Sequence, residues 1–320
     1  MRYFILLFYS FTFLFPATSC ERNKEQSDKV FLFSYFTGRG EDGLHWAYSA
    51  DGLHWRALNH GNSVLAPSVG KDSLFRDPCV IRGGDGNYHM VWTTGWTDSY
   101  IGYATSPDLI QWSEQKLIHV MDYEPTARNA WAPEVFYDEK DDKYIIFWAS
   151  TIPGRHSAID HGGKENGYNH RMYYVTTRDF ETFSETRMFY NPDFSVIDCT
   201  LLENGSEFYM FLKNENPNPP EKNIRFVVSD DPEGPFPTVV SEPVTGDYWA
   251  EGPTPLVVGD SVYVYFDKYR EHRYGAVRSK DLKHWDDVSE QVSFPGGIRH
   301  GTALSVPKEV FEKLKESFEK

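Results

Sequence analysis

Cysteine is scarce and unpatterned: three occur in 320 residues, at positions 20, 79 and 199. That excludes a disulfide-stapled scaffold and the paired spacings of zinc modules. Cys79 and Cys199 each sit inside an apolar, strand-like run, so two buried free thiols are expected. Nor is there a basic tract. The formal charge is −15 with acids and bases interspersed, which leaves no cationic footprint for nucleic acid. The Tyr3–Phe15 apolar run is too short to span a bilayer, and no helical period interrupts the chain from Val30 to Pro307. What is abundant is aromatic side chain, 16% of residues. Such residues suit short, half-buried strands.

The first residues read as a targeting segment. Arg2, the apolar run and Pro16-Ala17-Thr18-Ser19 ahead of Cys20 make a signal peptide over residues 1–19. It resembles a bacterial lipoprotein signal, with Ala17 where Leu is usual. That resemblance implies lipidation of Cys20 and a polar tether over 20–29. The protein would then be exported and held at the outer membrane or periplasmic face of a Gram-negative cell. Its lipid anchor would be its only membrane contact.

One unit recurs five times. Ser or Thr, any residue, then Asp, with an aromatic four or five places on, appears as Ser49-Ala50-Asp51 with Trp55 and Ser106-Pro107-Asp108 with Trp112. It returns as Thr177-Arg178-Asp179 with Phe183, Ser229-Asp230-Asp231 with Phe236, and Ser279-Lys280-Asp281 with Trp285. The Asp positions are 57, 71, 52 and 50 residues apart. Each copy reads as a strand, an Asp-bearing turn and an outer strand carrying the aromatic. A period of about 50 residues with four short strands is that of a propeller blade. The expected fold is all-β: a single-domain, five-bladed β-propeller over residues 30–307. Val30–Phe36 and Leu44–Tyr48 supply the middle strands of the last blade, so both chain ends close one blade and remove exposed edges. Val310, Phe311, Leu314 and Phe318 form an apolar stripe that predicts a C-terminal helix over 308–320.

A second series runs in phase with the first. Asp77-Pro78, Pro133-Glu134, Asp198-Cys199, Glu251-Gly252-Pro253 and His300-Gly301 open the inner strands, 57, 64, 53 and 49 residues apart. At equivalent positions of a propeller these five side chains converge on the axis. Clustered carboxylates raise one another's pKa, and a pair flanking a bond is the standard tool for splitting a glycosidic linkage. Trp96, Trp131, Tyr248 and Trp249 are placed to hold a sugar, and Arg76, Arg128 and Arg299 flank the ring. Insertions at Ile152–Arg171 and Lys213–Asn223 follow second strands and should emerge at one rim. His156, His161 and His170 in the first match no zinc spacing.

At these residues the chain resembles glycoside hydrolase family 43, five-bladed propellers acting mainly on arabinose- and xylose-containing glycans. Asp77-Pro78 matches the family's base motif, Ile197-Asp198 its pKa-modulating Asp, and Glu251-Gly252-Pro253 its general-acid motif. Trp131-Ala132-Pro133-Glu134 stands for Trp-Ala-Pro-Asp, and Cys199 replaces a Pro, which suggests an outlying branch among gut-bacterial lipoproteins. The resemblance implies hydrolysis with inversion. Asp77 acts as general base, Glu251 as general acid, and Asp198 holds Glu251 in place and at a raised pKa. The Asp77 and Glu251 carboxyls should lie roughly 6.5–9.5 Å apart. Trp96, Trp131, Glu134, Trp249, Arg299 and His300 are the expected substrate-binding residues. No cofactor is required. His300 sits where related arabinanases place a channel histidine, which implies a site for a structural Ca2+ or Na+ ion. The expected substrate is an oligo- or polysaccharide, met by a monomer. Exo-α-L-arabinofuranosidase is the first expectation, with β-xylosidase, β-galactofuranosidase and endo-arabinanase as alternatives. A retaining, invertase-like enzyme shares Arg76-Asp77-Pro78 but needs an earlier Asn-Asp-Pro, absent upstream of Arg76. A non-catalytic surface glycan-binding protein is the alternative outside enzymes.

Overall fold

A computed structural model describes residues 28–156, 167–217 and 219–319. The expected signal peptide, Cys20, most of the tether and His161 lie outside the described residues.

The chain opens with β1 (Lys29–Thr37), β2 (His45–Ser49) and β3 (Arg56–Ala57). The first complete blade is β4 (Arg76–Arg82), β5 (Tyr88–Thr93), β6 (Ile101–Ser106) and β7 (Lys116–Ile118). The second is β8 (Trp131–Asp138), β9 (Lys143–Ser150), β10 (Arg171–Thr177) and β11 (Arg187–Tyr190). The third holds β12 (Val196–Asn204), β13 (Glu207–Asn214) and β14 (Asn223–Ser229). The fourth is β15 (Glu251–Val258), β16 (Ser261–Lys268), β17 (Arg273–Ser279) and β18 (Asp286–Asp287). Then β19 (Ile298–Pro307) pairs with β1 in the order β19-β1-β2-β3. The fifth blade is therefore shared by the two ends of the chain, as the sequence implied, and the fold is a five-bladed propeller. Helix α1 (Lys308–Phe318) follows, and Phe311 and Leu314 bury against the fifth blade.

The core is five layers, one between each pair of adjacent blades. Side chains alternate across a strand, so each middle strand feeds two layers. Tyr144, Ile146 and Trp148 of β9 face the first blade, while Ile145, Phe147 and Ala149 face the third. On β1, Leu32 packs toward the first blade and Phe31, Phe33 and Tyr35 toward the fourth. This double burial explains the nearly continuous apolar runs of the second strands.

The Asp turns follow the third strand of each blade. In four copies the Asp Oδ1 accepts backbone N–H groups two and three residues on, at 2.8–2.9 Å: Asp51, Asp108, Asp179 and Asp281. The residue after each Asp is left-handed: Gly52, Leu109, Phe180 and Leu282. Its N–H is held by the preceding Ser or Thr hydroxyl. In the third blade that place is Pro232, which has no N–H and a fixed negative φ. Asp231 still accepts the Glu233 N–H at 2.8 Å, but the bond from the following residue to the Ser229 hydroxyl is missing, and no fourth strand follows among the described residues. The expectation of four strands in every blade is corrected accordingly. So is the placement of the aromatics: Trp55, Trp112, Phe183 and Trp285 precede the outer strands instead of lying in them.

What positions the axial side chains is a shared irregularity of the inner strands. Arg76 pairs with Thr93 and Cys79 with Val91, so three inner residues pass against two. The same one-residue bulge occurs between Trp131 and Glu134, Ile197 and Thr200, Glu251 and Thr254, and Arg299 and Thr302. The residue just inside it is left-handed at Asp77 (φ 51°), Ala132 (46°), Asp198 (55°) and Gly252 (59°). Bulges of this kind re-aim side chains.

Ring closure rests on close backbone approach. A Cβ on Gly301 would meet the Ser34 carbonyl oxygen at 1.7 Å, where β19 lies on β1. Gly301→Ala should therefore cost about 2 kcal/mol or more, as overpacking of a fixed backbone does. Urea unfolding should show the loss, whereas Gly86→Ala, with open space around it, should lose less. Deleting residues 30–48 should abolish cooperative unfolding altogether, because β19 would keep no strand partner in its sheet.

Candidate active site

The bulges create three tiers around the axis. Outermost are Arg76, Trp131, Ile197, Glu251 and Arg299; next come Asp77, Ala132, Asp198, Gly252 and His300; deepest are Cys79, Glu134, Thr200, Thr254 and Thr302. The five expected ring members are therefore not equivalent. Asp77, Asp198 and His300 share a tier, Glu251 is one residue outward and Glu134 two residues inward. The second and fourth blades carry Ala132 and Gly252 in the tier where the other three place an ionisable side chain.

A cavity of about 400 Å3 opens on the two outer tiers. Asp77, Asp198, Glu251 and His300 line it, with Trp96, Trp131, Tyr168 and His170 forming an aromatic wall. Trp131 stands edge-on to Trp96 at 6.2 Å and tilts against Tyr168 at 4.8 Å. Arg76 is held between Phe36 and Trp96, 4.6 and 4.5 Å from their ring centres. Such faces attract cations, and the arrangement fixes the Trp96 plane.

His300 organises the acids. Its Nδ1 lies 3.2 Å from Asp77 Oδ1 and 4.0 Å from Asp198 Oδ1. Burial disfavours its charge, but Asp198, Asp77 and Glu134 outweigh burial and raise its pKa to about 9. The resulting imidazolium acts back on Asp77. Burial alone would raise that carboxyl. The His300 hydrogen bond and charge, Arg76, and the Thr93 hydroxyl at 2.8 Å bring it to about 2. Asp77 is thus a carboxylate throughout the neutral range. Asp198 is raised to about 6, first by burial and then by Glu251 and Asp77, against His300 and Lys213. Its Oδ2 accepts the Gly252 N–H at 3.0 Å, which ties it to the strand that carries Glu251.

Glu251 departs from expectation. It was expected at a raised pKa; burial does push it up, but two cations reverse the direction. Lys213 Nζ stands 3.0 Å from Oε2, and Arg299 Nη2 3.1 Å from Oε1. In the unliganded pocket Glu251 is a carboxylate.

Of the other expected residues, Trp96 and Trp131 line the cavity, while Arg299, Trp249 and Glu134 do not. Arg299 is half-buried behind Glu251, with Nε 2.7 Å from Asp267. Trp249 is half-buried beside Arg270 and Tyr269, outside the cavity. Tyr248 donates to Asp287 at 2.7 Å, also outside it. Glu134 lies in the deepest tier on a separate axial cavity. Its Oε2 accepts from Thr200 at 3.1 Å and from the Cys79 thiol at 3.4 Å, and Oε1 from Thr302 at 3.3 Å. Burial raises it to about 7, and it lies outside the cavity that holds the other acids. Cys79 and Cys199 are both buried free thiols.

The residues fit a directly ligated ion poorly. No group of three or more His, Cys, Asp or Glu side chains is arranged to hold a metal among the described residues. A His300 protonated between two acids donates hydrogen bonds and offers no lone pair at Nδ1.

Sequence reasoning missed Thr93, Lys213 and Asp267, each paired with the last inner residue before a bulge. Thr93 ends its second strand, and Lys213 and Asp267 are the last residue but one of theirs, in strands that otherwise read as largely apolar. That position near the strand end was the available signal. Tyr168, His170 and Glu215 come from the described ends of the two insertions, which do reach the cavity rim.

The fold and site define a five-bladed β-propeller with an acid-lined pocket on its axis. The family model for the glycoside hydrolase family 43-related group, described as a probable glycosyl hydrolase domain, matches residues 27–312, and the chain belongs to that family. Over 188 residues, 52% of the chain, it is 27% identical to an alpha-L-arabinofuranosidase of Bifidobacterium longum subsp. longum; the match spans 17% of that relative. An alpha-L-arabinofuranosidase structure from Lactobacillus brevis aligns at TM-score 0.52 and 16% identity, covering 67% of this chain and 72% of that one. A family 43 protein from Bacillus licheniformis aligns at 0.52 and 19%, covering 71% and 42%. These structural likenesses bear on the fold.

The His300 charge has a consequence for stability. A histidine raised from 6.5 to about 9 contributes stability that is fully present below about pH 6.5 and lost as pH rises through about 9. Urea unfolding of the wild-type protein should weaken across that window. His300→Gln should flatten the fall, and an unchanged slope in the variant would place the titrating charge elsewhere.

Proposed function

We propose that the protein is an inverting glycosidase that removes terminal sugars, with exo-α-L-arabinofuranosidase as the favoured specificity. The observation that carries this is the convergence of Asp77, Asp198 and Glu251, from three different inner strands, on one aromatic-walled cavity.

The assigned roles follow from environment. Asp77, ionised and held by Thr93 and His300, accepts a proton from the attacking water. As the water oxygen bonds to the anomeric carbon, the glycosidic C–O bond breaks. The departing oxygen takes its proton from Glu251. Asp198 fixes the strand under Glu251 through the Gly252 N–H. Because Glu251 rests as a carboxylate, it must take up a proton before each turnover. The donor's charge partners are therefore part of the reaction. Trp96, Trp131 and Tyr168 provide faces for the sugar ring.

A cavity near the lower end of the usual roughly 300–1,000 Å3 range for ligand pockets favours a terminal sugar over an internal stretch of polysaccharide. Arabinofuranoside specificity draws on the names of the Bifidobacterium and Lactobacillus relatives. β-Xylosides, β-galactofuranosides and internal arabinan linkages are the competing substrates. We place the protein outside the cytoplasm, anchored through a lipidated Cys20.

A panel of aryl furanosides and pyranosides, followed by arabinan, xylan and arabinogalactan, tests the specificity. Asp77→Ala should abolish turnover on every substrate. Glu251→Ala should retain turnover of aryl glycosides with strongly acidic leaving groups, while losing natural linkages by 10²-fold or more. Equal losses on both would remove Glu251 from the donor role. Proton NMR of the first-formed sugar should show the opposite anomer to the substrate; retention would exclude the single-displacement route. Binding across the panel without turnover would instead identify a glycan-binding protein.

A further inference from the structure

Lys213 is a cation that the hydrolytic scheme leaves without a task. It is buried at the penultimate place of β13, lines the cavity and lies between two carboxylates. Its Nζ is 3.0 Å from Glu251 Oε2 and 2.6 Å from Glu215 Oε2. Glu215 lines the same cavity and is also bound by the buried Lys222, at 2.7 Å. The result is an alternating row, Glu251–Lys213–Glu215–Lys222, leading from the cavity into the wall of the third blade. A lysine kept only for structure needs one acid to offset its desolvation. Here a second acid divides the lysine's field with Glu251.

We propose that Glu215, acting through Lys213, is a positioning residue that decides whether Glu251 enters the reaction charged or protonated. Pulling Lys213 toward Glu215 loosens its hold on Glu251 and lets that carboxyl take a proton. Pulling it back restores the carboxylate. The inference rests on reading Glu251 as the proton donor. The other charges facing Glu251 come from every strand around it: Arg299 and His300 on β19, Asp267 on β16, and Asp198 on β12. Asp77, on β4, acts on Asp198. None of these spans from Glu251 to a second cavity carboxylate as Lys213 does.

Two substitutions should move Glu251 in opposite directions. Lys213→Met removes a neighbouring positive charge and should raise its pKa; Glu215→Gln removes a negative charge, returns Lys213 wholly to Glu251 and should lower it. Each shift should be roughly one unit or more. Carbon-13 NMR titration of the Glu251 carboxyl in the full chain, assigned with Glu251→Gln, reads the pKa without any need for turnover. Lys213→Arg, which keeps the charge, should leave it near the wild-type value. If Lys213→Met does not fold, the sign for Glu215→Gln decides alone. Absence of a downward shift in that variant overturns the proposal, as does a common sign in both. The alkaline limb of kcat/KM should follow the titration, up for Lys213→Met and down for Glu215→Gln, because a general acid is lost as pH rises through its pKa. If the carboxyl moves and the limb does not, the donor assignment fails while the charge row stands.

Discussion

One backbone device underlies the site: an extra residue in each inner strand, at the same height, ahead of an otherwise regular ladder. Without it, side chains of β4, β12 and β15 would alternate strictly between the two flanking layers, and a carboxylate aimed at the axis would have no place. With it, Asp77 and Asp198 adopt left-handed backbone. Asp tolerates that better than most residues, although a left-handed turn still costs roughly 1–2 kcal/mol. The neighbours over-determine that conformation. Thr93 and His300 hold Asp77, and the Gly252 N–H holds Asp198. Gly252 supplies the same geometry in the fourth blade without a Cβ, and the acid moves one residue outward to Glu251.

Charge in the pocket is arranged by proximity more than by number. The chain as a whole is strongly acidic, yet the cavity sets His300 and Lys213 against its acids, with Arg299 behind Glu251. Similar carboxyls therefore diverge: Asp77 goes down, Asp198 up, and Glu251 down between two cations. Glu134, in the deepest tier, is hydrogen-bonded only by hydroxyls and a thiol, and burial outweighs the His300 charge and raises it to about 7. Separated pKa values among near neighbours are what divide acid from base roles.

The parts legible in the sequence were those that demand particular side chains. An Asp turn needs Asp and a hydroxyl at fixed offsets, so five copies were visible and with them the propeller. Asp77, Asp198 and Glu251 were visible because each opens an inner strand. Exact equivalence was not visible. A one-residue bulge slides the register, so counting from blade to blade placed Glu134 among the pocket acids when its tier belongs to Cys79 and Thr200. Lys213 and Asp267 were hidden at the penultimate places of strands that read as apolar. Trp249 and Arg299 were assigned because they stand close in sequence to Glu251 and His300, yet successive strand residues point to opposite faces. The third blade departs from the repeat at Pro232, inside a motif that otherwise matched.

The pairing of β1 with β19 also fixes an orientation. Lys29 lies opposite Pro307, whereas Phe36 lies opposite Arg299, beside the pocket. The polypeptide thus enters the disc on the side away from the pocket, and α1 begins on that same side. A protein fastened through either terminus would turn its mouth outward, toward whatever glycans surround it.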